Sequence, residues 1–190
     1  FRSFGLKIVA PSTPHDARAL MRAAVNSEDP VLFYEHIALY RDPKIKQPLD
    51  AVGEVPLGKA ALRRAGEDLS ILSYGAYVHR ALAAAEALEK EGWSVEVLDL
   101  RSLAPLDWAA IAGTVKRTGK VLLVGEDSRT GSILESIASK ISESMYEDLD
   151  GPVRVLGALD APVPYAPSLE DAFLVSPELL LGNARALLEY

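Results

Sequence analysis

The chain has 190 residues, of which 49 % are hydrophobic and 25 % charged, with a formal net charge of −7 and a pI of about 5.0. This is the mix of a globular domain plus part of another, not of a disordered chain. There is no cysteine, so disulfides, zinc–thiolate sites and cysteine nucleophiles are excluded. No apolar run reaches the roughly 20 residues that cross a bilayer, and Lys and Arg are scattered apart from Arg63-Arg64. A membrane or nucleic-acid partner is therefore not expected.

The chain opens on Phe1 with no signal-peptide pattern, and the expectation is that upstream sequence has been removed and that the home is cytoplasmic. Leu6 to Ala10 reads as a short apolar strand. Thr13 is a suitable N-cap, with Pro14 at the first helical position and Asp16 at the positive end of the helix dipole. Ala17, Leu20, Met21 and Ala24 recur at helical spacing until Ser27-Glu28-Asp29-Pro30 ends the helix, and Val31–Tyr34 reads as a buried strand. One strand–helix–strand unit cannot bury both faces, so residues 1–40 are expected to be a remnant of a larger sheet, exposing apolar surface and least stable. Residues 41–55 hold Pro43, Pro48, Lys44 and Lys46 with little apolar periodicity and read as a linker.

Residues 56–190 alternate strands and helices. Leu57–Arg64 reads as an extra edge strand, and Leu69–Tyr74, Val95–Leu98, Val121–Val124 and Val153–Leu156 are nearly unbroken apolar runs suited to covered parallel strands. Helical spacing is carried by Val78, Ala81, Leu82, Ala85 and Leu88 up to Gly92, then by Ile111 and Val115 between an Asp107 N-cap and Gly119. A third helix carries Ile133, Ile137, Ile141 and Met145, and Ser176-Pro177-Glu178 opens a last one. The fold class is α/β: a three-layer α/β/α sandwich with a mostly parallel sheet, preceded by the strand–helix–strand remnant.

Ligands of open α/β sheets gather at the carboxyl ends of strands. The segment Gly125-Glu126-Asp127 to Arg129-Thr130-Gly131 follows such an end and reads first as a plain strand-to-helix turn, second as a partner contact. Its carboxylates disfavour a phosphate, and neither a P-loop nor G-x-G-x-x-G is present. Glu126 and Asp127 as an acid/base pair is the lesser reading, since neighbours point apart. His79 reads as a capping or surface group and His15 as solvated; for His36, after a strand end, a place facing a ligand cleft is the lesser reading. Three histidines so far apart give no metal spacing, and no G-x-S-x-G occurs.

Whole strings go further. FGLKIVAPSTPHDARALM and DPVLFYEHIALYR resemble the end of the pyrimidine-binding domain in β subunits of pyruvate and branched-chain 2-oxo acid dehydrogenases. VPLGKA and LSILSYGAYVHRALAAAEALEKEGWSVEVLDLRSLAPLD resemble the opening of the transketolase C-terminal domain in those subunits. TGKVLLVGEDSRTG and DAPVPYAPSLEDAFL are similar to its second half. IALYR and Tyr190 lean towards the branched-chain type. The resemblance covers essentially the whole chain in order.

It implies an enzyme that decarboxylates a 2-oxo acid on thiamin diphosphate and Mg²⁺ and passes the acyl group to a lipoyl carrier. The implied partners are an α-type part, a second copy in a dimer or heterotetramer, and a dihydrolipoyl acyltransferase. Catalytic and cofactor-binding residues of that family lie outside the matching segment, so none is expected in this chain. The resemblance also implies a potassium ion on Ala24, Val25, Ser27 and Asp29, although Ser27 stands where a pyruvate-type member has Asp. An interface on Glu126, Arg129, Thr130 and Gly131 is implied as well; Thr130-Gly131-Ser132-Ile133-Leu134 departs from the family's T-G-G. The alternative is a non-catalytic interaction module with the same fold, against which the orphan unit at Phe1–Glu35 speaks.

Overall fold

A computed structural model describes residues 5–50 and 52–190. The N-terminal unit forms strand β1 (Lys7–Val9), helix α1 (Pro14–Val25) and strand β2 (Val31–Phe33). Thr13 Oγ1 caps α1 by accepting the Asp16 N–H at 3.2 Å, an interaction worth about 1 kcal/mol. Two short 3₁₀ turns follow, Ile37–Arg41 and Pro43–Ile45, the second lying inside the stretch expected to be featureless.

The second unit contains β3 (Ala61–Arg64), β4 (Leu69–Ser73), α2 (Tyr77–Glu89), β5 (Val95–Asp99), β6 (Ser102–Ala104) and α3 (Trp108–Thr118). It continues with β7 (Val121–Ser128), α4 (Ile133–Ser144), β8 (Arg154–Ala158), α5 (Pro167–Phe173) and α6 (Pro177–Leu188). Five strands form one sheet in the order β3-β5-β4-β7-β8, parallel except for β3, which pairs antiparallel with β5 at the edge. The apolar runs at β4, β5 and β7 are buried because helices cover both faces: α2 and α6 pack on one, α3 and α4 on the other. Asp107 caps α3 through the Ala110 N–H at 3.2 Å, and Gly119 ends it at φ 63°, a conformation glycine adopts without steric cost.

Two expectations need correction. The N-terminal half-sheet is not left open on both sides, because β6 leaves the second unit and pairs antiparallel with β1, giving the order β2-β1-β6. Ile8 and Ala10 thereby join the core under α3 and α4, and Val9 and Leu20 are wholly buried. Segment 125–131 is not a plain turn either: β7 continues to Ser128, with the pairing to β8 shifting between Val124 and Ser128. The bulge fits beside Gly157, whose missing side chain leaves the space filled by Asp127 O and Arg129 N.

Candidate functional site

Strand order reverses at β4, since β5 follows on one side and β7 returns on the other. The crevice at the carboxyl ends of β4 and β7 is therefore the topological switch point, where open α/β sheets bind ligands. A cleft of 820 Å³ opens there, with Tyr74, Glu126 and Asp127 from the sheet, Ile8 and Ala10 on its floor, and Tyr34 and His36 from the N-terminal unit on its far wall. His36 Nε2 lies 2.8 Å from Glu126 Oε2 and bridges the two units. Hydrogen bonding from His36 holds the Glu126 carboxyl below the usual range despite partial burial, with His36 and Arg80 charges adding to the effect. Burial pushes the Tyr74 hydroxyl up to about 12, helped by Asp127 and Glu126. The crevice thus carries an ionised carboxylate tied to an imidazole, a neutral phenol and an acidic rim that includes Glu170. It suits a cationic or proton-exchanging contact and disfavours phosphate.

The nominated interface residues separate. Glu126 turns into the cleft, whereas Thr130 Oγ1 donates to Asp160 at 2.5 Å and Gly131 N donates to Glu135 at 2.9 Å. Arg129 lies 3.6 Å from Glu135 and remains largely exposed. At the end of α1, Lys7 Nζ donates to Ser27 Oγ at 3.0 Å and lies 2.9 Å from Asp29 Oδ2. The Ala24 carbonyl accepts the Ser27 N–H at 3.1 Å, and Val25 is exposed. Among the described residues no group of three or more His, Asp or Glu is placed to hold a metal ion.

The other two histidines are also tied down. His79, read as a capping or surface group, is instead partly buried with Nε2 2.7 Å from the Ser12 carbonyl, and His15 Nε2 contacts the Pro48 carbonyl at 2.5 Å. Sequence reasoning missed a buried polar cluster. Asp16 and Asp99, both nearly inaccessible, face Arg63 and Arg101, with Ser12 donating to Asp99 at 2.5 Å. The available signal was the charged pair Asp99 and Arg101 flanking Leu100 in a mostly apolar run.

Against known proteins, residues 58–180 match the family model for the transketolase C-terminal domain. The 2-oxoisovalerate dehydrogenase subunit beta of Bacillus subtilis is 49 % identical over 187 residues, covering 98 % of this chain and 57 % of the relative. The pyruvate dehydrogenase E1 component subunit beta of the same organism is 39 % identical over 186 residues, again 98 % and 57 %. The chain therefore spans little more than half the length of the curated relatives it matches. A solved split-gene transketolase, described as an inactive β4 tetramer, superposes with a TM-score of 0.72 over 97 % of this chain and 57 % of its own; at 22 % identity the likeness concerns the fold.

Proposed function

The chain belongs to the transketolase C-terminal domain family, and from that premise we propose that it is the C-terminal part of the β subunit of a thiamin-diphosphate-dependent 2-oxo acid dehydrogenase, of branched-chain type. The observation that carries the proposal is the extent of the match: identity to the 2-oxoisovalerate dehydrogenase subunit runs over 98 % of the chain. It therefore includes the N-terminal unit, which lies outside the matched domain at residues 58–180. A free-standing interaction module has no need of that unit, yet here β6 and a buried ion cluster hold it in place. The reaction proposed for the complete enzyme takes a 2-oxo acid and an oxidised lipoyl carrier to CO₂ and an acylated, reduced carrier, consuming a proton.

Thiamin diphosphate would supply the electron sink for decarboxylation. The crevice does not fit its pyrophosphate, because the lining carries Glu126, Asp127 and Glu170 and no Lys or Arg. No step is therefore routed through them. The role proposed for this part is assembly with an α-type part, with a second copy and with a dihydrolipoyl acyltransferase, in the cytoplasm, through the exposed Arg129–Thr130 corner. A potassium ion held largely by main-chain oxygens of Ala24, Val25, Ser27 and Asp29 would have to share the Ala24 carbonyl with the Ser27 N–H. Co-expression of the reading frame containing this chain with an α-type partner tests the main proposal. Release of CO₂ from 3-methyl-2-oxobutanoate, with acylation of a lipoyl domain, is expected. A folded assembly with no turnover of any 2-oxo acid would favour the interaction module.

A further inference from the structure

Beside the apolar contacts of Ile8 and Ala10, the two units also meet at a buried polar seam. Asp16 sits in the first turn of α1 in the N-terminal unit, while Asp99 and Arg101 lie just before β6, at the end of β5. Arg101 donates to Asp16 Oδ1 at 2.9 Å and to the carbonyls of Lys59 and Ala60 at 3.1 and 2.8 Å. Arg63, on edge strand β3, donates to Asp99 Oδ2 at 2.8 Å and also pairs with Asp16. Ser12, just before α1, donates to Asp99, so each unit contributes a carboxylate bonded to groups from the other. The side chains of Asp16 and Asp99 are 5 % and 0 % exposed, which leaves neither carboxylate a route to water if its partner is lost.

Arg101 holds a second clue. Its φ is 52°, in the left-handed region that side-chain-bearing residues rarely occupy. In that conformation its carbonyl accepts the Ala10 N–H at 2.8 Å and the chain turns into β6, which pairs with β1. The same residue thus makes the backbone turn that delivers β6 to the N-terminal sheet and the side-chain fork that grips α1. We infer that Asp16, Asp99, Arg63 and Arg101 form an orientation lock, with Arg101 as the positioning residue that fixes the N-terminal unit on the transketolase C-terminal domain.

Hydrogen exchange on the 190-residue chain, read by peptide, tests the lock. In Asp16→Asn the peptides covering β1 and α1 should lose about tenfold or more in protection, while the β4 peptide changes by less than about twofold. Arg101→Gly should give the same selective loss, although glycine takes the left-handed turn without strain, because the fork is gone. Arg101→Lys, with the charge but not the fork, should fail to restore wild-type protection. Unchanged exchange of β1 and α1 in Asp16→Asn would overturn the inference. If Asp16→Asn does not fold, Arg101→Gly is read on the same peptides, and unchanged or uniformly lost protection there would overturn it.

Discussion

Burial beside Glu126 and Asp127 holds Tyr74 neutral up to about pH 12, against 10.0 for the free side chain. A group whose folded-state pKa is raised contributes stability that is complete below the unfolded value and lost as pH climbs to the folded one. The loss therefore falls between pH 10.0 and about 12 and amounts to on the order of 2 kcal/mol. Tyr74→Phe should remove the latest part of the tyrosinate absorbance rise and flatten the fall of the urea midpoint across that window. An unchanged alkaline titration would count against burial of this hydroxyl. Glu126 behaves in the opposite sense. His36 holds its carboxyl below the ordinary 4.5, so its contribution is present above 4.5 and disappears as pH falls through the lowered value. Glu126 is about half exposed and solvent screens the pair, which limits the effect to a few tenths of a kcal/mol. Urea midpoints of wild type and Glu126→Gln should differ at neutral pH and converge in acid. Parallel curves would show that the His36–Glu126 contact is not formed in solution.

Glycine places the clearest limit at the level of elements. A Cβ at Gly157 on β8 would stand 2.7 Å from Asp127 O and 2.8 Å from both Arg129 N and Cα, all backbone atoms that cannot rotate away. Gly157→Ala should therefore push β8 from the β7 bulge and cost about 1–3 kcal/mol, as overpacking does. Gly182, exposed within α6, has nothing within 4 Å of the same position, and Gly182→Ala should instead stabilise by up to about 1 kcal/mol. Urea unfolding of the two variants checks both signs at once. The same elements explain what was legible beforehand. Thr13, Asp107 and Ser176 announce helix starts because a cap is a contact over three residues, and each does cap its helix. The runs at β4, β5 and β7 are legible because a strand covered on both faces is mostly apolar, even with Ser70, Ser73, Glu96 and Asp99 buried in β4 and β5. β6 was not, since Ser102–Ala104 is a strand only by virtue of β1, more than 90 residues earlier. The polar end of β7 reads as a turn in the sequence because its pairing depends on Gly157 rather than on its own residues. α5 lacks a side-chain N-cap and spans 7 residues, too short for a helical period to register. In the crevice, His36 and Glu126 each stood out for being near a strand end, but nothing local says that they meet.

For the whole molecule, the division of labour implied by the family likeness makes a prediction about the chain on its own. Thiamin chemistry needs a carboxylate against the aminopyrimidine, a metal-held pyrophosphate and a closed apolar cleft. The crevice at the switch point meets none of these fully. Glu126 is committed to His36, and the rim adds Asp127 and Glu170. Two phosphates brought there would meet like charge from Glu126, Asp127 and Glu170. The β2-β1-β6 sheet ends at β2, whose residues are only partly buried, so apolar surface there stays in contact with water. The five-stranded sheet, by contrast, has helices on both faces and can fold without outside help. Isothermal titration of the folded chain with thiamin diphosphate and Mg²⁺ should accordingly show no micromolar binding, and the chain alone should not release CO₂ from a 2-oxo acid. Assembly is a separate matter, because the Arg129–Thr130 corner is exposed and needs no cofactor. Sedimentation at micromolar concentration should show self-association that Arg129→Glu weakens. Micromolar binding of thiamin diphosphate by this chain would place a cofactor site in the crevice, with Glu126 and His36 as the first residues to test.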